Sequence, residues 1–100
     1  MVETNIDKVE INYKKALLLY KKNDFNSAEK LLLENIEISA EDCNTYDLLI
    51  KIYEMQNKYH ALIKVLDRAI KYCKARRSDY RELRKVAILS ELLKDVKNSR

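Results

Sequence analysis

The residues of this chain that could do chemistry are few and scattered. It has one histidine, His60, two cysteines without CxxC spacing, and no glycine from which to build a phosphate-binding loop. A lone histidine outside a cluster of ligands at zinc spacing is usually an ordinary surface residue. The adjacent acids Glu41 and Asp42 precede an apolar run, where carboxylates favour the start of a helix. We therefore expect no catalytic residue, no metal site and no cofactor, and a protein that is not an enzyme.

The cysteines Cys43 and Cys73 are expected to be reduced. In the helical arrangement predicted below, Cys43 begins the third helix and Cys73 ends the fourth, so the two lie side by side. Packed helix axes are about 8–10 Å apart, which places the two Cα atoms too far apart for an unstrained disulfide. Buried thiols without a bridge are typical of cytosolic proteins.

Composition favours helices over strands. The 100 residues include no glycine and no proline, and tight β-hairpin turns depend on glycine. The abundant Lys, Glu, Leu and Ala are good helix formers. We expect one all-α domain over residues 1–100. Because no apolar run approaches the about 20 residues of a membrane span, we also expect a cytoplasmic protein with no membrane partner.

Apolar spacings of three and four residues divide the chain into five helices. Thr4 with Asp7 resembles a capping box that opens the first helix, and Asn23 is expected to close it in the left-handed conformation. The next helices are expected at Phe25–Ile38, at Cys43–Gln56, which Asn57 closes, and from Tyr59 to about Lys74. A final helix begins at Ser78 or Asp79 and is expected to cover the core as a cap. Its apolar positions are Tyr80, Leu83, Val86, Ala87, Leu89, Leu92, Leu93 and Val96.

An internal repeat relates the two halves of the chain. The turn Asn23-Asp24-Phe25 recurs as Asn57-Lys58-Tyr59, a shift of 34 residues, which is the period of the tetratricopeptide repeat. The same shift pairs apolar residues throughout the flanking helices. With the run Tyr46-x-x-Leu49-Ile50-x-x-Tyr53, these features make residues 9–93 resemble the tetratricopeptide repeat family.

The resemblance implies a right-handed α-solenoid of two helical hairpins, residues 5–40 and 42–75, and a capping helix, residues 78–98. It also implies a concave groove that binds a partner segment. The groove residues that it implies are Tyr13, Leu17, Tyr20, Lys21, Asn44, Asp47, Lys51, Glu54, Arg81 and Lys85. Some family members clamp a chaperone's C-terminal carboxylate, but the corresponding positions hold Tyr13, Leu17, Leu48 and Glu82, so we do not expect that activity here.

The predicted function is protein–protein interaction, as an adaptor, scaffold or co-chaperone-like module. Charge is segregated along the chain, because residues 29–47 hold six acids and one base, whereas residues 71–85 hold seven bases and two acids. This asymmetry leaves open an acidic partner or a head-to-tail homo-oligomer. Nucleic-acid binding is the alternative with least support, since no recognised motif accompanies the basic segment.

Overall fold

The structure, a computed structural model, describes the backbone of residues 5–98 and the side chains of residues 7–94. Its helices are α1 (Asn5–Lys21), α2 (Phe25–Ile38), α3 (Cys43–Met55), α4 (Tyr59–Tyr72) and α5 (Arg77–Asn98), with a 3-10 turn at Lys74–Arg76 before α5. No strand occurs within residues 5–98, so the all-α prediction is confirmed there. Thr4 of the predicted capping box lies outside the described residues, as does the side chain of Val96.

Two asparagines replace glycine at equivalent turns. Asn23 and Asn57 adopt positive φ angles of 63° and 55°, as predicted from the sequence. At the first turn, Asp24 N donates to Leu19 O at 2.9 Å and Asn23 N donates to Tyr20 O at 3.0 Å. The second turn repeats this pattern, with Lys58 N donating to Tyr53 O at 2.9 Å. These are the paired hydrogen bonds of a Schellman motif, which end a helix and reverse the chain.

The helices pack mainly as sequence neighbours. α1 packs against α2, α3 packs against both α2 and α4, and α5 packs against α4. The buried apolar side chains form one cluster that runs from Ala16 in α1 to Ala87 in α5. The largest fully buried side chains include Tyr46, Tyr80 and Leu49. The molecule is elongated, with extents of 59 × 30 × 17 Å.

A buried amide joins the first three helices. Asn35 in α2 is fully buried, and its Nδ2 donates to the backbone oxygen of Val9 at 2.9 Å and to Thr45 Oγ1 at 3.3 Å. Thr45 in turn donates to Asp42 Oδ2 at 2.5 Å. Buried polar groups are costly unless they are hydrogen-bonded, so this chain of contacts favours one register of α2 between α1 and α3.

Only part of the apolar sequence of α5 covers the core. Tyr80 and Ala87 are 2% exposed and belong to the core cluster. The other side of the helix is open, because Val86, Leu89, Leu92 and Leu93 are each more than half exposed. One face of α5 therefore packs on the core, whereas a second apolar face has nothing packed on it within the described part of the chain.

The expectation of two free thiols is wrong. Cys43 and Cys73 form a disulfide whose Cα atoms are 5.5 Å apart. The expected spacing between packed helix axes does not apply, because Cys73 lies one residue beyond α4 with an extended backbone, φ −104° and ψ 82°. At that point the chain has left the helix and can approach the first residue of α3. The disulfide therefore closes the open end of the α3–α4 pair.

Candidate functional site

The predicted groove residues of α1 contribute mainly to packing. Tyr13, Leu17 and Tyr20 are half-buried and pack against the core. The ring of Tyr20 also lies 5.8 Å from the ring of Phe25, measured between centroids. Lys21 alone among the four is exposed. The α1 part of the predicted groove thus offers partly covered aromatic surface and one free ammonium group.

The predicted residues of α3 form a stripe on one side of the helix. Asn44, Asp47, Lys51 and Glu54 follow spacings of three and four, which places them on a common face. Asn44, Lys51 and Glu54 are exposed, whereas Asp47 is half-buried. This stripe offers a partner one cation, one anion and one amide in sequence along about three turns of helix.

Asp47 is used to hold α5 in place. Tyr80 Oη donates to Asp47 Oδ1 at 2.7 Å, and Arg76 Nη1 forms an ion pair with Asp47 Oδ2. Burial raises the pKa of Tyr80 well above its usual value of 10.0, and the hydrogen bond to Asp47 raises that pKa further. The Tyr80 hydroxyl also lies 3.5 Å from the backbone oxygen of Cys43, one of the disulfide residues. The predicted groove residue Asp47 is therefore a structural anchor for the start of α5.

A cavity of about 190 Å³ opens where α3, α4 and α5 meet. Its lining residues are Ile50, Glu54, Tyr59, Leu62, Leu83, Val86, Ala87 and Ser90. Of the predicted groove residues, Glu54 is the one that lines it. Cavities that hold whole drug-sized ligands measure roughly 300–1,000 Å³. The cavity between α3, α4 and α5 is smaller than that range.

The predicted residues of α5, Arg81 and Lys85, are both exposed. Lys85 Nζ pairs with Glu82 Oε1 at 3.2 Å on the same helix, and both side chains are more than 70% exposed. Such a pair contributes little, because solvent screens it. Arg81 forms no ion pair with any of the residues whose side chains are described. Both cations thus remain accessible to a partner.

Ion pairs between described side chains neutralise part of each charged segment, two of the six acids in residues 29–47 and three of the seven bases in residues 71–85. In the acidic segment, Glu34 pairs with Lys8 at 2.9 Å and Asp47 pairs with Arg76. Burial raises the pKa of Tyr53 well above its usual value of 10.0, and the carboxylate of Glu29 raises that pKa further.

In the basic segment, several cations keep no acidic partner. Lys71, Lys74, Arg77 and Arg81 form no ion pair within the described side chains. Arg77 Nε instead donates to the backbone oxygen of Ile70 at 2.9 Å. Uncompensated positive charge is therefore the dominant electrostatic feature of the α4–α5 end.

Possible metal ligands are dispersed among the described residues. Within them, no group of three or more His, Cys, Asp or Glu side chains could hold a metal ion. His60 is exposed, and its Nδ1 lies 3.8 Å from Glu91 Oε1. Among the same residues, no helix combines the length and the apolar character that crossing a bilayer requires.

Three features of this region escaped the sequence-based reasoning. The disulfide was rejected although the predicted helices placed Cys43 and Cys73 side by side, because Cys73 was assigned to α4 and lies one residue beyond it. The link from Tyr80 to Asp47 joins residues 33 positions apart. The open face around Leu89 could have been noticed, since α5 has more apolar positions than one buried face can hold.

Comparison with known proteins yields no relative. No family model, no curated protein and no solved structure matches this chain. A function must therefore be argued from the geometry and chemistry described above.

Proposed function

We propose that this chain is a protein–protein interaction module, an adaptor or scaffold without catalytic activity, which binds a segment of another protein along α3 and α5. The observation that carries the proposal is the cavity of about 190 Å³ between α3, α4 and α5, with an apolar floor that includes Leu62. The exposed stripe of α3 reaches the cavity at Glu54, and Lys51 lies three residues earlier on the same side of the helix. An apolar anchor in the cavity would supply affinity, and the flanking charges would set the direction of the segment.

The proposal includes membership of the tetratricopeptide-like class and a right-handed solenoid of two hairpins with a closing helix. It is supported by the 34-residue shift, which relates two turns with the same hydrogen-bond pattern at Asn23 and Asn57. It is also supported by the order of packing, in which each helix contacts its sequence neighbours. A co-chaperone-like role remains one form of the proposal, and its partner would not be a clamped chaperone carboxylate.

The test exchanges two exposed charges of the α3 stripe, Lys51 and Glu54, of which Glu54 lines the cavity. In the variant Lys51→Glu with Glu54→Lys, the net charge of the protein is unchanged, and both side chains are exposed, so we expect the fold to persist. We expect the tagged variant to capture about tenfold less partner protein from a native lysate than the tagged wild-type chain does. This is the effect of losing about 1.4 kcal/mol of binding free energy. The matched control exchanges Lys30 and Glu37, which are exposed on α2. Capture that is equally strong with the α3 variant would overturn the proposal.

A cytoplasmic site of action is the part of the proposal with the least support. The Cys43–Cys73 disulfide argues against it, because the cytosol keeps most thiols reduced. Alkylation of the protein in intact cells before lysis tests the location directly. Two modified cysteines in the cytosolic fraction would support a cytoplasmic protein, whereas protected cysteines in an oxidising compartment would contradict it.

A further inference from the structure

The outward side of α5 carries one continuous exposed stripe, which we call the α5 stripe, formed by Arg81, Lys85, Leu89 and Leu92. Spacings of four, four and three residues keep these side chains on one side of the helix. Leu89 and Leu92 are 59% and 56% exposed, and the adjacent Leu93 is 63% exposed. Contiguous exposed leucines usually mark an interaction site. The stripe is basic in its N-terminal half and apolar in its C-terminal half.

The positive charge at the start of α5 extends beyond the stripe itself. Lys74 lies in the 3-10 turn that precedes α5, and Lys71 lies in the last turn of α4. Both are exposed, and neither forms an ion pair within the described residues. Glu82 is the acid that pairs with Lys85, and it is 74% exposed, so solvent weakens that pair. A partner that covers this end must therefore supply negative charge.

We propose that the α5 stripe docks an acidic amphipathic helix of a partner protein. The docked helix would cover Leu89, Leu92 and Leu93 with apolar residues at spacings of three and four, and would place carboxylates over Arg81 and Lys85. From residue 81 to residue 92 the stripe is about 16 Å long, so about three turns of a partner helix suffice. The inference goes beyond the proposed function, because the α5 stripe shares no residue with the lining of the cavity between α3, α4 and α5.

A second copy of the chain fits the stripe less well. If two α5 helices paired in parallel, each Arg81 and Lys85 would face its own copy. If they paired antiparallel around Leu89, the Lys85 of one copy would lie beside Leu93 and Lys94 of the other. Both arrangements crowd the cations of the two copies or cover Lys85 with leucine, and Glu82, the acid that pairs with Lys85, cannot balance both Arg81 and Lys85, which is costly. Charge complementarity therefore favours a partner that brings its own carboxylates.

The inference is tested by fluorescence anisotropy with the full chain and two synthetic helical peptides. Both peptides carry leucines at spacings of three and four, and the remaining positions near one end hold glutamates in one peptide and lysines in the other. We expect the glutamate peptide to bind at least about tenfold more tightly, and Arg81→Gln with Lys85→Gln to remove that preference. Leu89→Ser with Leu92→Ser should weaken binding about tenfold or more.

The matched control is Leu18→Ser with Leu33→Ser, which alters leucines that are 59% and 43% exposed on α1 and α2. The inference is overturned if the control weakens binding as much as the α5 variant, if the lysine peptide binds equally well, or if neither peptide shows saturable binding. A dimer of the wild-type chain that dissociates in the Leu89→Ser variant would identify a second copy as the occupant of the α5 stripe. Binding of duplex DNA that requires Arg81, together with no peptide binding, would identify nucleic acid as the occupant. If the double variant Lys51→Glu with Glu54→Lys weakens peptide binding and the α5 variants do not, the α5 assignment is overturned and the proposed function stands.

Discussion

Reduction of the Cys43–Cys73 disulfide is expected to lower the free energy of unfolding by about 3.6 kcal/mol. The two cysteines are 30 residues apart in sequence. A crosslink of this span reduces the conformational entropy of the unfolded chain by about 12 cal/mol/K in the loop-closure model, and multiplication by 298 K gives the quoted value. Domains of this size are stable by about 5–15 kcal/mol in total. The disulfide is thus expected to supply a quarter or more of the stability.

The assay is urea unfolding, followed by circular dichroism, with and without a phosphine reductant. For an m value of about 1.5 kcal/mol/M, the midpoint should fall by about 2.4 M on reduction. The variant Cys43→Ala with Cys73→Ala is the control, because the reductant should not shift its midpoint. Cys73 is 1% exposed, so alanine is preferred there to serine, which would bury a hydroxyl.

Two results would refute this reasoning. The first is a midpoint that moves by less than about 0.3 M when the wild-type chain is reduced, which would mean that the bridge does not constrain the unfolded state. The second is two free thiols per chain, found by thiol titration of the air-oxidised protein in denaturant. That result would show that Cys43 and Cys73 stay apart in solution, as the sequence-based reasoning expected.

Three further perturbations probe the anchors of the fold. Tyr80→Phe should cost about 1–2 kcal/mol in chemical unfolding, because it removes the 2.7 Å hydrogen bond to the carboxylate of Asp47, which keeps its second partner. Asn23→Ala should cost about 1 kcal/mol, since alanine tolerates the φ of 63° poorly, whereas Asn23→Gly should be close to neutral. Burial raises the pKa values of Tyr46, Tyr53 and Tyr80 above 10.0. The contribution of these tyrosines to the free energy of unfolding should therefore be constant up to about pH 10. Above that pH, the free energy of unfolding should fall by about 1.4 kcal/mol per pH unit for each tyrosine that stays protonated only in the folded state.

Each of these expectations has a clear contrary outcome. A neutral Tyr80→Phe would mean that Asp47 does not hold α5 through this bond. Equal effects of alanine and glycine at Asn23 would mean that the left-handed turn is not limiting. Stability that rises above pH 10 would contradict the sign of the tyrosine shifts, because a lowered folded-state pKa is needed for that behaviour.

The helices and their turns could be predicted from local sequence alone. Asn23 and Asn57 were identified as left-handed residues because asparagine tolerates that conformation better than other residues with a side chain. The predicted bounds of α2 agree with those of the structure. These features depend on residues close together in the chain, where propensity and periodicity act directly.

The contacts that organise the α3–α5 end could not be predicted in this way. The Cys43–Cys73 bridge and the bond from Tyr80 to Asp47 join residues that only the tertiary fold brings together. Lys51 and Glu54 were predicted as groove residues, but the cavity that Glu54 lines depends on the path of α5. The repeat resemblance placed Asp47 in a groove, whereas its hydrogen bonds make it an anchor for α5.

The most direct test of the account is amide chemical-shift mapping of the isotope-labelled protein during titration with a partner segment recovered by the lysate capture. The account predicts that the largest perturbations lie on the exposed stripe of α3, around Lys51 and Glu54, and on α5 from Arg81 to Leu93. Smaller changes are expected where Tyr59 and Leu62 line the cavity. Perturbations confined to α1 and α2, or a titration that leaves α3 and α5 unchanged, would contradict the claim that this protein binds its partner there.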